Sequence, residues 1–255
     1  GIVAAGKVAT NKSEKENASI KTTSQNIKEF LIWALGLAVL FGLFHFVLTF
    51  DVIGAFIFAL CIVVPAYVIS DRSLTKIEKQ RIGVIYIIAF FVIFFWAAFE
   101  QAGASLTYFA DEQTNRDIFG WTMPASYFQS FNPVFVVVFA PLMSWLWMKL
   151  GSKNMEPASP TKQAMGLFLL SVGYLVIAFG VQGVAPGVKV SILWLTGLYF
   201  IHSMGELMLS PIGLSMVNKL APARFASLLM GIWYLSMATA NKFAGILSGL
   251  YPEVG

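Results

Sequence analysis

The chain has 255 residues, 58% hydrophobic and only 12% charged, where a soluble domain carries about 25% charged residues. A soluble globular enzyme is thereby disfavoured, and the net charge of +4 is spread between apolar stretches, which points to membrane topology rather than to nucleic acid. One cysteine, Cys61, and two histidines, His45 and His202, leave no disulfide framework and no metal cluster, and no cofactor is expected.

Residues 1–27 are polar, with Lys7, Lys12, Lys15 and Lys21 interleaved with Glu14, Glu16, Ser and Asn. Such a stretch cannot bury enough apolar area to order itself, so it is expected to be a cytoplasmic linker. Gly1 follows no signal-peptide pattern, and the chain stops just after an apolar run, so both ends are expected to be cuts through a longer protein.

Seven apolar segments follow, at 28–49, 52–70, 83–108, 126–149, 163–183, 190–218 and 224–250. Each has about 18 residues or more, enough to cross a hydrocarbon core of about 30 Å at about 1.5 Å per residue. In lipid a backbone must satisfy its own hydrogen bonds, so these runs are predicted to be helices; they are too long for strands and lack period-two alternation. The predicted fold class is all-α, a polytopic transmembrane helical bundle.

Lys and Arg set the orientation. They concentrate in the stretch before the first span and in the connections after spans two, four and six; of the 17, only Arg116, Lys189 and Lys242 fall elsewhere. The positive-inside rule then predicts a cytoplasmic N-terminus, an outer C-terminus and seven spans. The first two spans keep their few ionisable groups mostly at the ends and can face lipid on most sides. The later five carry Gly, Ser, Asn, Glu and Trp well inside, as helices facing protein or water do.

Two carboxylates are out of place in a bilayer. Glu100 lies inside span three and Glu206 inside span six, where a charge costs on the order of 2.5–3.5 kcal/mol on insertion scales. Two such acids on separate helices predict a wet pathway for ions or polar solutes; the alternative is a neutral pair that fixes packing. Trp96 lies one turn before Glu100, and His202 and Ser210 lie one turn either side of Glu206. Trp96 reads as a pocket wall and His202 as a packing residue. Asn132, beside Pro133, reads either as a polar handle in a cavity or as a satisfied amide at a kink. Pro211 is expected to bend span six. Gly231 is expected to let span seven approach closely, with Trp233 facing the pathway.

These residues fall within blocks that resemble a known family. Phe95-Trp96-Ala97-Ala98-Phe99-Glu100-Gln101-Ala102-Gly103 resembles the seventh helix of the proton-dependent oligopeptide transporters, of the major facilitator superfamily. Gln129-Ser130-Phe131-Asn132-Pro133 resembles the start of their eighth. Gly205-Glu206-Leu207-Met208-Leu209-Ser210-Pro211-Ile212-Gly213 resembles their tenth, running on to Met230-Gly231-Ile232-Trp233. The resemblance implies that 28–70 is the helix pair bacterial members insert between two six-helix bundles. It implies that 71–255 holds helices seven to eleven of the C-terminal bundle, with helix twelve missing or incomplete. The N-terminal six-helix bundle would be a partner absent from this chain.

By that resemblance, Asn132 and Glu206 receive a peptide's amino terminus, Trp96 and Trp233 line side-chain pockets, and Ser210 shares the cavity. Glu100 pairs with a cation of the other bundle and, with Glu206, serves proton coupling and gating. The implied activity is proton-coupled symport of di- and tripeptides across the bacterial cytoplasmic membrane by alternating access. The alternatives are symport of nitrate or other small solutes, or a channel or sensor. No motif of an intramembrane enzyme appears at usable spacing.

Overall fold

The computed structural model describes residues 23–185 and 187–251. The chain divides into two compact units that meet at the Tyr67–Val68 bond. Of the expected 1–27 linker, residues 1–22 lie outside the described residues, and Thr23 already opens a helix.

The first unit holds α1 (Thr23–Gly42), a π-helical turn (Leu43–Val47) and most of α2 (Val52–Ser70). Leu31, Ile32, Phe46 and Val52 are exposed, as befits helices whose solvent is lipid. His45 closes the link between the two helices. Its Nδ1 lies 2.8 Å from the Phe50 carbonyl, and its ring stacks on Phe41.

The second unit begins with α3 (Lys76–Phe99), started by a capping box. Thr75 Oγ1 accepts from the Glu78 amide, and the Thr75 amide donates to Glu78 Oε2 at 2.8 Å. After α3 come a 3₁₀ turn (Glu100–Gly103) and α4 (Ser105–Glu112). Strands β1 (Thr114–Asn115), β2 (Asp117–Ile118) and β3 (Trp121–Thr122) follow, then a second 3₁₀ turn (Ala125–Ser130) leading into α5 (Phe131–Gly151). The remainder is α6 (Ser159–Val181), β4 (Val190–Ser191), α7 (Ile192–Leu220) and α8 (Ala226–Ser248).

Among the described residues, six stretches of helix are long and apolar enough to cross a membrane. The expected seventh, α8, has the length, 23 residues, but Ser236, Thr239, Asn241 and Lys242 make it less apolar than the others. Helix α3 packs chiefly on α8, and α7 packs on α6 and α5. Between α6 and α7 the backbones nearly touch: a Cβ built at Gly166 would lie 2.7 Å from the Gly205 carbonyl, and one at Gly205 would lie 2.8 Å from the Gly166 carbonyl. Small residues permit this approach where lipid offers no hydrophobic drive for helices to associate.

Each end of the unit is tied across the sequence. At one end β1 pairs in parallel with β4, Thr114 opposite Val190, over a core that includes Phe109, Phe128, Leu195 and Leu198. At the other, Arg224 hydrogen-bonds Ser73 and lies 3.7 Å from both Asp71 and Glu78. The connections after the second and sixth spans therefore lie at one end of this unit.

One expectation about proline is corrected. Pro133 does not open a ladder: it is the third residue of α5, where a missing N–H breaks nothing. Helix α7 carries Pro211 within its run. Span three, read from sequence as a single helix, is interrupted.

Candidate functional site

That interruption begins at Glu100. The carbonyls it releases are met by side chains from other helices. The Tyr174 hydroxyl of α6 donates to the Ala98 carbonyl at 2.5 Å, and the Tyr199 hydroxyl of α7 to the Ala102 carbonyl at 3.3 Å. Thr107 Oγ1 also donates to Ala102, at 2.9 Å. Gln101, buried, donates through Nε2 to the Ala97 carbonyl and to the Ala244 carbonyl of α8, and accepts from Ser105 Oγ at 2.7 Å. A broken helix in lipid survives only when its freed groups find such partners. Gln101→Leu removes three of these bonds. We expect it to lower the stability of the folded protein by about 1–2 kcal/mol, at about 0.6 kcal/mol per membrane hydrogen bond, read as a lower melting temperature in detergent.

Glu100 itself is exposed on this unit. Glu206, on α7, is half-buried and held by Asn132, on α5. The Asn132 Nδ2 group donates to Glu206 Oε2 at 2.8 Å and to Ser203 Oγ at 3.1 Å. Ser203 in turn donates to the Tyr199 carbonyl at 2.7 Å. Helix α3, which ends just before Glu100, also packs against α7, which carries Glu206. The structure thus joins Asn132, Glu206 and Ser203 by hydrogen bonds, with Glu100 at the end of an adjoining helix.

The other candidates are placed differently. Trp96 is buried, edge-on to Phe95 and Phe99, and its Nε1–H is sealed from solvent without a hydrogen-bond partner among the described residues. Trp233 is buried against α7, where a Cβ built at Gly213 would lie 2.1 Å from Trp233 Cη2. The glycine that admits the indole is therefore Gly213, across the interface; Gly231, on Trp233's own helix, has open space around it. Ser210 is half-buried one turn below Glu206. His202 packs helix against helix as expected, with Nε2 3.1 Å from the Leu170 carbonyl and its ring over Gly173 beside Tyr174.

Sequence reasoning missed Ser203, Gln101, Tyr174 and Tyr199. Ser203 and Tyr199 lie three and seven residues before Glu206, on its face of the helix, so spacing alone could have drawn them in. Gln101 stands out in the sequence only as a second polar residue beside an intramembrane acid. Tyr174 gave no local signal, because its partner is a carbonyl set free 76 positions away.

The arrangement is an acid fixed by an amide between two helices, with a second acid at the break that ends the adjoining α3. Residues 35–254 match the model of the POT family. The chain belongs to that family. It is 35% identical over 185 residues to the peptide transporter YePEPT of Yersinia enterocolitica, covering 72% of this chain and 36% of that protein. It is 30% identical over 172 residues to the dipeptide and tripeptide permease A of Escherichia coli K12, covering 68% of this chain and 34% of that permease. A crystal structure of a POT peptide transporter in complex with alafosfalin superposes with a TM-score of 0.70 at 33% identity, over 91% of this chain and 48% of that one. The fold is that of the major facilitator transporters. The POT family and these relatives are transporters, not enzymes. The chain spans less than half the length of each of the three.

Proposed function

We propose that this chain forms half of a proton-coupled symporter of di- and tripeptides. The observation that carries the reading is Glu206 held by the Asn132 amide within membrane-crossing helices, with a second acid, Glu100, at the end of the adjoining helix α3. Isolated charge is too costly there to persist without a task. A short peptide presents an ammonium at one end, and Glu206, with the Asn132 amide beside it, is chemically fitted to receive it. Glu100, exposed on this unit, is free to meet a cation of a second bundle, the N-terminal one that the family's length implies. A carboxylate in a dry site that loses its cation partner gains affinity for a proton, which ties gate movement to proton uptake. Trp96 offers an unspent indole donor and apolar wall; Trp233 and Ser210 border the same helices. Nothing in this set reads one particular side chain, so specificity is broad.

The relatives support the substrate class, being named as peptide, dipeptide and tripeptide transporters. We place the protein in the bacterial inner membrane as a multi-pass protein, with the polar N-terminal stretch and the Lys- and Arg-rich connections on the cytoplasmic side, by the positive-inside rule. The test is uptake by the full-length protein in proteoliposomes. An inward proton gradient is expected to accumulate labelled dialanine above equilibrium, with collapse on adding a protonophore. Unlabelled dipeptides are expected to compete, while free amino acids and nitrate are not. Uptake that equilibrates without concentrating would instead indicate a channel.

A further inference from the structure

Away from the acids, a cavity of about 440 Å³ opens at the Lys- and Arg-rich end of the second unit, where the start of α3, the start of α6 and the end of α7 converge. Its polar lining comprises Arg81, Lys219, Gln80 and Ser159. No carboxylate lines it, and neither Arg81 nor Lys219 has an ion pair among the described residues. The nearby acid Glu78 is engaged by Thr75 and Arg224. The first turn of α6 enters the cavity through Ser159 and Pro160, and Ala158 before it supplies no side-chain cap, so Ser159 adds a hydroxyl near the positive end of a helix. The other walls are apolar: Ile77 is 62% exposed and Val84 38% exposed, both on the cavity side of α3, with Met216 and Leu220 from α7.

Two uncompensated cations over a greasy wall, at the end of membrane-crossing helices, demand a ligand that is anionic at one end and apolar at the other. We propose that this cavity binds the headgroup of an anionic phospholipid of the cytoplasmic leaflet. The phosphate sits between Arg81 and Lys219, with Ser159 as a further donor, and the acyl chains run along Ile77 and Val84 toward the membrane interior. Basic pockets between helices on the cytoplasmic side are suited to such headgroups, and the volume falls in the range of about 300–1,000 Å³ typical of small-molecule sites. A soluble phosphate would satisfy the cations but leave the apolar wall unused, which is why the lipid is favoured. The proposal rests on the cytoplasmic orientation given above and not on the identity of the transported solute.

The experiment is native mass spectrometry of the full-length protein in detergent, titrated with dioleoyl phosphatidylglycerol, dioleoyl phosphatidylethanolamine or sodium phosphate. The wild type is expected to retain phosphatidylglycerol at least tenfold more tightly than phosphatidylethanolamine. The Arg81→Gln/Lys219→Gln double variant is expected to lose that preference, while Lys153→Gln, in a different basic connection, keeps it. Where the double variant does not yield folded protein, Lys219→Gln alone is read the same way, with a loss of at least threefold. Equal affinity for the two lipids, an unchanged double variant, or displacement of the lipid by millimolar phosphate would each overturn the proposal. So would the absence of any tightly held lipid, which would mean that another part of the full-length protein fills the cavity. Because the readout is binding, a failed transport assay leaves this result standing, and the reverse.

Discussion

Glu206→Gln in the full-length protein is expected to abolish concentrative dipeptide uptake, with a fall of at least a hundredfold at saturating proton gradient. The change keeps size and shape, and the Asn132 amide can still donate to the new side-chain carbonyl, so folding is expected to survive. What is lost is the negative charge. In a site of low dielectric an ammonium without a counter-charge costs several kcal/mol, and a hundredfold loss corresponds to only about 2.7 kcal/mol. Asn132→Ala is expected to be milder, about tenfold in apparent affinity, since it removes the bonds that orient the acid and leaves the charge. Both are read as initial rates of labelled dialanine entry, with expression and melting temperature as controls for folding. Wild-type accumulation by Glu206→Gln would remove this residue from the site and with it the proposed function.

Gly166→Ala is expected to force two packed helices apart. The added carbon would lie 2.7 Å from the Gly205 carbonyl and 3.2 Å from Leu209 Cβ. The first is backbone, which no rotamer change can move aside, so α6 and α7 must separate. Overpacking of this kind costs about 1–3 kcal/mol, or a fall of several degrees in melting temperature for a protein of this size. Gly205→Ala meets the Gly166 carbonyl in return, so the double variant is expected to cost less than the sum of the two singles, because the separation is made once. An additive double variant would mean that the two contacts are independent. Dialanine uptake should fall with the folded fraction and not beyond it.

The spans were legible because lipid enforces a simple rule: about 18 apolar residues become a helix, and charge marks the ends. The pairing of Asn132 with Glu206 involves residues that stood out for a related reason, since polar groups in such helices are rare. The break at Glu100 was not legible, because nothing local requires it. It exists because Gln101, Tyr174 and Tyr199 are positioned by other helices to take the carbonyls it frees, and those meetings depend on tertiary structure. The packing of Trp233 was not legible either, because the glycine that admits its ring, Gly213, lies on another helix. Pro133 looked like a kink because the preceding turn, Ala125–Ser130, carries no helix-start signal and left the true beginning of α5 unmarked.

The two acids are mounted on different kinds of support. Glu206 stands on a 29-residue rod, α7, wedged against α6 and α5. Glu100 stands at a joint, with a 24-residue shaft on one side that leans on α8 and an eight-residue tip on the other that belongs to a separate neighbourhood of β1 and the Ala125–Ser130 turn. Glu206 is thereby held by the packing of a whole helix, Glu100 by the side chains that close the break.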